Sequence, residues 1–501
     1  MARAWSRVNR WLTWFHRWAG VALCLFFAMW FASGAVLHFV SFPALSPDER
    51  RFAGETIEVS RVAITPSEAL AMAPAATELR LVSISGRPVY LAQEPSGAWT
   101  SIDGETGDLL PPISPPGALA IAEAFARQKA TGVSGPLDYD QWIVHQRFDP
   151  FRPLYRVRLA DADQTDLYIS ARTGEVLQRT NVRQRAWNWC GAVIHWLYFT
   201  PLRKNWSAWN QVVWWLSLVA LLSSAVGTWL GFMRTLANRA AGRKGLSPFR
   251  GWMRWHHIIG LFASVLVITW MLSGWLSMDH GRFFSHAEPS PEQARQMSGL
   301  SPTEIAHAIP LSLIQAVGPA TEMTFNAVGG TPFIAAYNRS GAARIYFSDG
   351  VPQREATRLP AQILRAGLDR VWPSRVHEIT RPDANDEVYR LAESVEGAAV
   401  FAVGRNMEWR VYVDPLSGRL LAVMDASRRS YAWIYYALHT FQFPGLISHP
   451  QIRTALVLLS LTLGFVASVT GVVLSAKRLW RESASISEIL KPMTHPARKA
   501  L

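Results

Sequence analysis

The sequence predicts a membrane protein of four transmembrane α-helices, arising from a tandem duplication, with two α+β regions on one side of the bilayer. Three observations predict it. Four apolar stretches are each about 20 or more residues long, enough at ~1.5 Å per residue to span a ~30 Å hydrocarbon core. The net charge of +13 is concentrated in short segments beside those stretches. Motifs from the first half recur in the second at constant spacing.

The chain has 501 residues, half of them apolar, with 23 Trp and two Cys. That composition excludes a disulfide-stapled scaffold, a disordered tail protein and a zinc-ribbon array. Its basicity raises the question of a nucleic-acid partner, and the distribution of charge answers it. Segments 1–18, 234–254 and 476–501 hold 16 basic and 2 acidic residues, leaving 34 basic against 35 acidic elsewhere. The expectation is therefore a lipid bilayer and no nucleic acid.

In chain order the elements read as follows. Residues 1–18 form a cytoplasmic tail, 19–40 a first span, 41–185 a first external region and 186–208 an interfacial segment. A second span covers 209–233, a cytoplasmic loop 234–254 and a third span 255–278. A second external region follows at 279–430, then an interfacial segment at 431–451, a fourth span at 452–475 and a cytoplasmic tail at 476–501. Each basic cluster lies at the same end of its span, so the positive-inside rule places both termini in the cytoplasm. The Arg-rich start with Ser33-Gly34-Ala35 also resembles a cleavable leader, but its apolar run is too long and recurs later. Most of the Trp excess falls at helix ends, as in interfacial aromatic belts.

The recurrence is exact in spacing. His16, Gly20 and Gly34 return as His256, Gly260 and Gly274, each 240 residues on. Gly174, His195, Gly227 and Arg234 return as Gly418, His439, Gly471 and Arg478, each 244 residues on. Repeats of this kind identify residues that hold equivalent places in two halves.

The external regions carry signals of small α+β units. Thr65-Pro66-Ser67-Glu68 and Ser301-Pro302-Thr303-Glu304 each offer an N-cap hydroxyl, a Pro at the first helical position and a Glu at the third. Leu154–Leu159, 165–169 and 408–413 alternate as half-buried strands. Turns ending on Gly107, Gly174 and Gly418 exploit the low cost of positive φ. No nucleophile, base and orienter assemble in them, and no catalytic residue is assigned.

Histidine is the chemistry-bearing residue. One interfacial His is usually no more than an amphipathic side chain. The spacing changes that: His16 and His256 each precede a Gly by one helical turn, so an imidazole and a bare backbone patch share a face. A flat macrocycle needs that combination of axial nitrogen and close helix approach. Tight helix packing is the competing use of Gly20, Gly34, Gly260 and Gly274. His195 and His439 form a matched pair at the other end. They precede Pro201 and Pro444, in segments 187–199 and 431–443 that read as lying along the interface. Two pairs on opposite sides suggest two bis-His b-type haems, one per leaflet. No Cys-x-x-Cys-His is present, which excludes covalent c-type attachment. His38, His257, His280 and Met278 are weaker candidates. His145, His286, His307, His377, His449 and His495 read as surface residues, and Cys24 and Cys190 as unpaired thiols.

His16-Arg-Trp-Ala-Gly20 with Ser33-Gly34, Leu438-His439-Thr440, and Thr470-Gly471-Val-Val with Lys477-Arg478 resemble the PepSY-associated transmembrane helix family of bacterial inner-membrane proteins. Thr65-Pro-Ser-Glu-Ala69 and Thr173-Gly174-Glu175-Val176 resemble fragments of its periplasmic PepSY domains. The resemblance covers nearly the whole chain and implies an iron-regulated class that includes siderophore-iron reductases carrying haem b. It implies haem ligation at His16, His195, His256 and His439. The double His256-His257 departs from the tidiest pattern, and the external regions are divergent.

The expected function is transmembrane electron transfer to a ferric siderophore or another ferric chelate in the periplasm. Cytosolic segments of about 18, 21 and 26 residues leave no room for a nucleotide-binding domain of ~50 residues or more, so the donor is a quinol or a separate reductase. Two rivals belong to other classes. A non-catalytic, membrane-anchored binding or inhibitory protein leaves the His pairs without a role. An iron-chelate transporter lacks intramembrane acids, Asp279 being the only one near a span.

Overall fold

The computed structural model describes residues 2–284, 289–348, 355–373, 375–378, 397–404, 406 and 409–489. His286 and His495 lie outside the described residues, as does the end of the 476–501 segment. Four helices, Ala2–Phe39, Trp206–Ala240, Gly251–Ser277 and Pro450–Ile489, carry stretches long and apolar enough to cross a membrane. They are longer than the apolar stretches alone, because the flanking residues, Arg and Ala among them, are also good helix formers and extend each helix at its basic end. The first helix packs on the second and fourth, and the third on the same two. The first and third therefore face each other across the bundle.

Outside the bundle, among the described residues, two sheets have four antiparallel strands each. One runs Ala130–Leu137, Leu154–Leu159, Asp166–Ser170, Val176–Thr180, and the other Val376–Glu378, Ala399–Val403, Trp409–Val413, Leu420–Met424. The third sheet has seven strands and draws on both halves of the chain. Its central pair is Glu78–Ile84 against Glu322–Val328, antiparallel, with Arg80 opposite Thr324 and Val82 opposite Glu322. The two external regions thus share a sheet and a core: Leu81 and Tyr90 pack in one cluster with Met323 and Ile334.

That register places charge at the seam. Arg80, buried, donates through its fork to both carboxylate oxygens of Glu175 at 3.1 and 3.2 Å and to Glu322 at 3.2 Å. Arg51 donates to Glu322 at 2.9 Å, and Arg50 lies 3.2 Å from Glu175. Burial alone raises the Glu322 carboxyl, but the pull of Arg80, Arg50 and Arg51 outweighs it and holds the group at about 2. The segment following the first long helix is pinned to both halves by these pairs.

Local signals behave as their chemistry requires. Both capping boxes form, with Thr65 and Ser301 accepting from the backbone of Glu68 and Glu304. Gly107, Gly174 and Gly418 all have positive φ, and at Gly174 and Gly418 a Cβ would also collide with Ile84 and Val328.

The segments between sheets and bundle hold a feature absent from the periodicity. The chain widens into a π turn at Trp433–His439 and, at a start 244 residues earlier, into a π-type turn at Trp189–Val193 that is kinked by non-helical φ and ψ at Gly191. Two residues after each histidine, Leu197 and Phe441 adopt positive φ of 53° and 57°. Non-glycine residues in that region carry strain and tend to mark functional sites, as do π turns.

Candidate cofactor site: two histidine pairs in the bundle

His16 on the first helix and His256 on the third face each other across the basic end of the bundle, ring centroids 6.3 Å apart and planes 33° apart. At the sheet end, His195 and His439 meet with centroids 6.5 Å apart and planes at 72°. Their segments lean on the first and third helices respectively. The four histidines matched by spacing are therefore brought together as two pairs.

Hydrogen bonds decide which nitrogen of each ring is free. His16 Nδ1 lies 3.0 Å from the Ser223 carbonyl, which only accepts, so Nδ1 carries the proton. His195 and His439 have Nδ1 3.0 Å from the hydroxyls of Ser33 and Ser273. Those hydroxyls donate to the carbonyls of Trp30 and Trp270 at 3.2 Å, so they accept from the rings. Thr470 likewise donates to the Ala467 carbonyl at 2.6 Å and accepts from His256 Nδ1 at 2.9 Å. All four rings are Nδ1–H tautomers, and among the described residues nothing bonds their Nε2 lone pairs. Orienting partners of this kind raise the basicity of a metal-ligating imidazole. Trp30 and Trp270 also donate from Nε1 to the carbonyls of His195 and His439, both at 3.0 Å, fixing the segments as well as the rings.

The centroid separations match those of two rings sharing one ion. Two imidazole–metal bonds of ~2 Å, with the Nε2-to-centroid distance added at each end, bring ring centroids to about 6–6.5 Å. A cavity of about 710 Å³ adjoins the basic-end pair, within the ~300–1,000 Å³ range of cofactor-sized sites. Gly20 and Gly260 line it, with open space where a Cβ would stand. Gly227 is required for another reason: a Cβ there would sit 2.3 Å from His16 Cε1. Gly471, its counterpart, leaves 3.6 Å to His256. At the sheet end, Gly34 and Gly274 would bring a Cβ to 3.6 and 3.3 Å from His195 and His439 Cε1, and Gly34 also packs on Leu461. Close ring approach and helix packing thus coincide at Gly34. Arg17, Arg234, Lys477, Arg478 and Arg481 line the basic-end cavity.

The weaker candidates stand outside both pairs. His38 Nε2 is bonded to the Thr454 hydroxyl at 2.9 Å, and buried His257 Nε2 to the Gly231 carbonyl at 2.8 Å. His280 is exposed and lies against Trp214 with its ring tilted by 40°, and Met278 caps the third helix. His145, His307, His377 and His449 are exposed. Cys24 and Cys190 are free thiols. Among the described residues, His, Cys, Asp and Glu nowhere gather in threes as a protein-only metal cage requires.

Spacing alone misses Ser33, Ser273, Ser223 and Thr470 as the groups that orient the rings. The Ser-Gly pairs at 33–34 and 273–274 were the available signal, though their glycines draw the attention. A family model described as the PepSY-associated TM region matches residues 13–369, a span that includes His16, His195 and His256. No curated protein matches the chain.

Proposed function

Because the chain belongs to the PepSY-associated TM region family, we propose that it is a haem b protein of the bacterial inner membrane that passes electrons to the periplasm and reduces a ferric chelate, such as a ferric siderophore. The observation that carries this reading is the set of four Nδ1–H imidazoles, paired with their Nε2 lone pairs unused.

His16 and His256 would hold one haem, and His195 and His439 a second. Gly20, Gly227, Gly260 and Gly471 keep the first pair's surroundings clear of side chains, and Gly34 and Gly274 do so at the second. Arg17, Arg234 and Arg478 supply cations suited to the carboxylates of a porphyrin. A haem in each place supplies reversible one-electron exchange between ferric and ferrous iron. Ser223, Ser33, Thr470 and Ser273 hold the ring protons on Nδ1 and keep Nε2 available. The acceptor is the ferric chelate: one electron converts its Fe(III) to the softer Fe(II), which an oxygen-rich chelator holds less tightly. A quinol or a separate cytoplasmic reductase supplies that electron.

The basic ends of the helices face the cytoplasm in this reading, and the three sheets face the periplasm, where the chelate is met. The recurrence of both pairs, and of the serine, tryptophan and glycine partners of the sheet-end pair, points to a tandem duplication.

Proteoliposomes test the function. With a membrane-impermeant reductant on the side of the basic ends and a ferric chelate on the other, Fe(II) is expected to form on the chelate side, and to stop forming in His16→Ala and His439→Ala. Fe(II) formation at wild-type rate in both variants would sink the proposal.

A further inference from the structure

The two histidine pairs differ in one respect that the matched spacing conceals. The basic-end rings are only 33° apart, whereas the sheet-end rings are crossed at 72°. A neighbour found on one side alone accompanies that crossing. Tyr435 stacks on His439, with centroids 5.7 Å apart and planes at 14°. Tyr431 stacks on Tyr435 in turn at 5.9 Å and 27°, and its hydroxyl donates to the Ser277 carbonyl at 3.2 Å. Tyr435 and His439 both lie in the π-helical turn at Trp433–His439, whose i→i+5 bonding puts more than four residues in each turn and brings residues four apart nearly over one another.

His195 has no such support. The residue four before it is Gly191, where a Cβ would stand 2.9 Å from Val36 Cγ1, so the first helix occupies the space a ring would need. Among the described residues no ring stacks on His195. Its plane is set by Ser33 and by the segment's contact with Trp30.

We propose that Tyr435 is a positioning residue that holds the His439 plane across that of His195, so that the chain's two haem sites are electronically unlike. This rests on the proposed haem reading. Each axial imidazole donates π density perpendicular to its own plane. Aligned planes reinforce one another and split the iron d orbitals, while crossed planes cancel and leave them nearly degenerate. Ring orientation is thus one of the protein's levers on a bis-His iron, along with hydrogen bonding and burial.

Low-temperature electron paramagnetic resonance of the oxidised, purified full chain reads this directly. Two low-spin signals are expected: a rhombic one with three resolved g values from the His16–His256 site, and a strongly anisotropic one, with a larger maximal g, from the His195–His439 site. Tyr435→Leu should shift the anisotropic signal toward the rhombic one or abolish it. Tyr435→Phe, which keeps the ring, should restore it. The rhombic signal, unchanged in both variants, reports that the protein is folded. Two wild-type signals of one type, an anisotropic signal untouched by Tyr435→Leu, or equal loss in the Phe variant would each overturn the role of Tyr435. A folded chain that binds no haem overturns the proposed function instead, and the inference with it.

Discussion

The Ser33 hydroxyl lies 3.0 Å from Nδ1 of His195, two residues that are 162 positions apart in the chain. Ser273 stands at the same distance from His439. Since each serine spends its proton on a backbone carbonyl, each dictates which histidine nitrogen is left for a metal. This relationship, more than the presence of histidine, leaves both sheet-end rings with an Nε2 that nothing bonds among the described residues.

Removing that hydroxyl should weaken the site without removing the ligand. Outer partners of metal-bound imidazoles typically contribute ~10–100-fold in affinity. Ser33→Ala and Ser273→Ala should therefore retain His195 and His439 but lose haem from that site faster, by about tenfold or more. Dissociation to a haem scavenger, followed by absorbance, measures it. Wild-type dissociation in both variants would assign the serines to helix packing alone.

Two equivalent glycines should respond differently to the same substitution. A Cβ at Gly227 would stand 2.3 Å from His16, whereas at Gly471 it would stand at an ordinary contact distance of 3.6 Å from His256. Gly227→Ala is expected to displace His16 and cost the basic-end haem, while Gly471→Ala retains it. Pyridine haemochrome quantitation per chain distinguishes them. Equal haem content in the two variants would contradict the asymmetry.

Acid should attack the seam between the external regions. The Glu322 carboxyl is held at about 2, below its ordinary 4.5, by Arg80, Arg50 and Arg51 against the cost of burial. A depressed pKa means that the stabilisation is present in full above 4.5 and is lost as pH falls through about 2. Glu322→Gln should lower the melting temperature at pH 7, since breaking a buried pair costs ~3–5 kcal/mol. The gap from the wild type should narrow as pH drops from 5 to 2. A gap of constant size across that range would show that the Glu322 carboxyl is not depressed in the folded protein.

How much of this was legible follows from the range of each interaction. Helices reveal themselves through contiguous apolar length, and capping boxes through four adjacent residues, so both were readable. The histidine pairs were readable only because each half restates the other. The seven-stranded sheet was not, because its central pairing joins Arg80 to Thr324 across the membrane helices and depends on a register that no local pattern encodes. The π turns were equally hidden, since neither Trp189–Val193 nor Trp433–His439 carries a motif specific to one; Gly191, a poor helix former with non-helical φ and ψ, is the one local sign of a break. Tertiary packing on the first and third helices selects them. Gly227 was visible as a recurring glycine, but its reason is a single imidazole from another helix.

The most direct test of the central claim is the haem content of the purified full chain, read from its reduced-minus-oxidised absorbance spectrum and from haem per protein. The account predicts a b-type spectrum with two haems per chain, falling to one in His16→Ala or His256→Ala and to the other one in His195→Ala or His439→Ala. His38→Ala, His257→Ala and His280→Ala should leave both. A folded, colourless protein, or one whose second haem departs with His38 and survives the loss of His195, would contradict it.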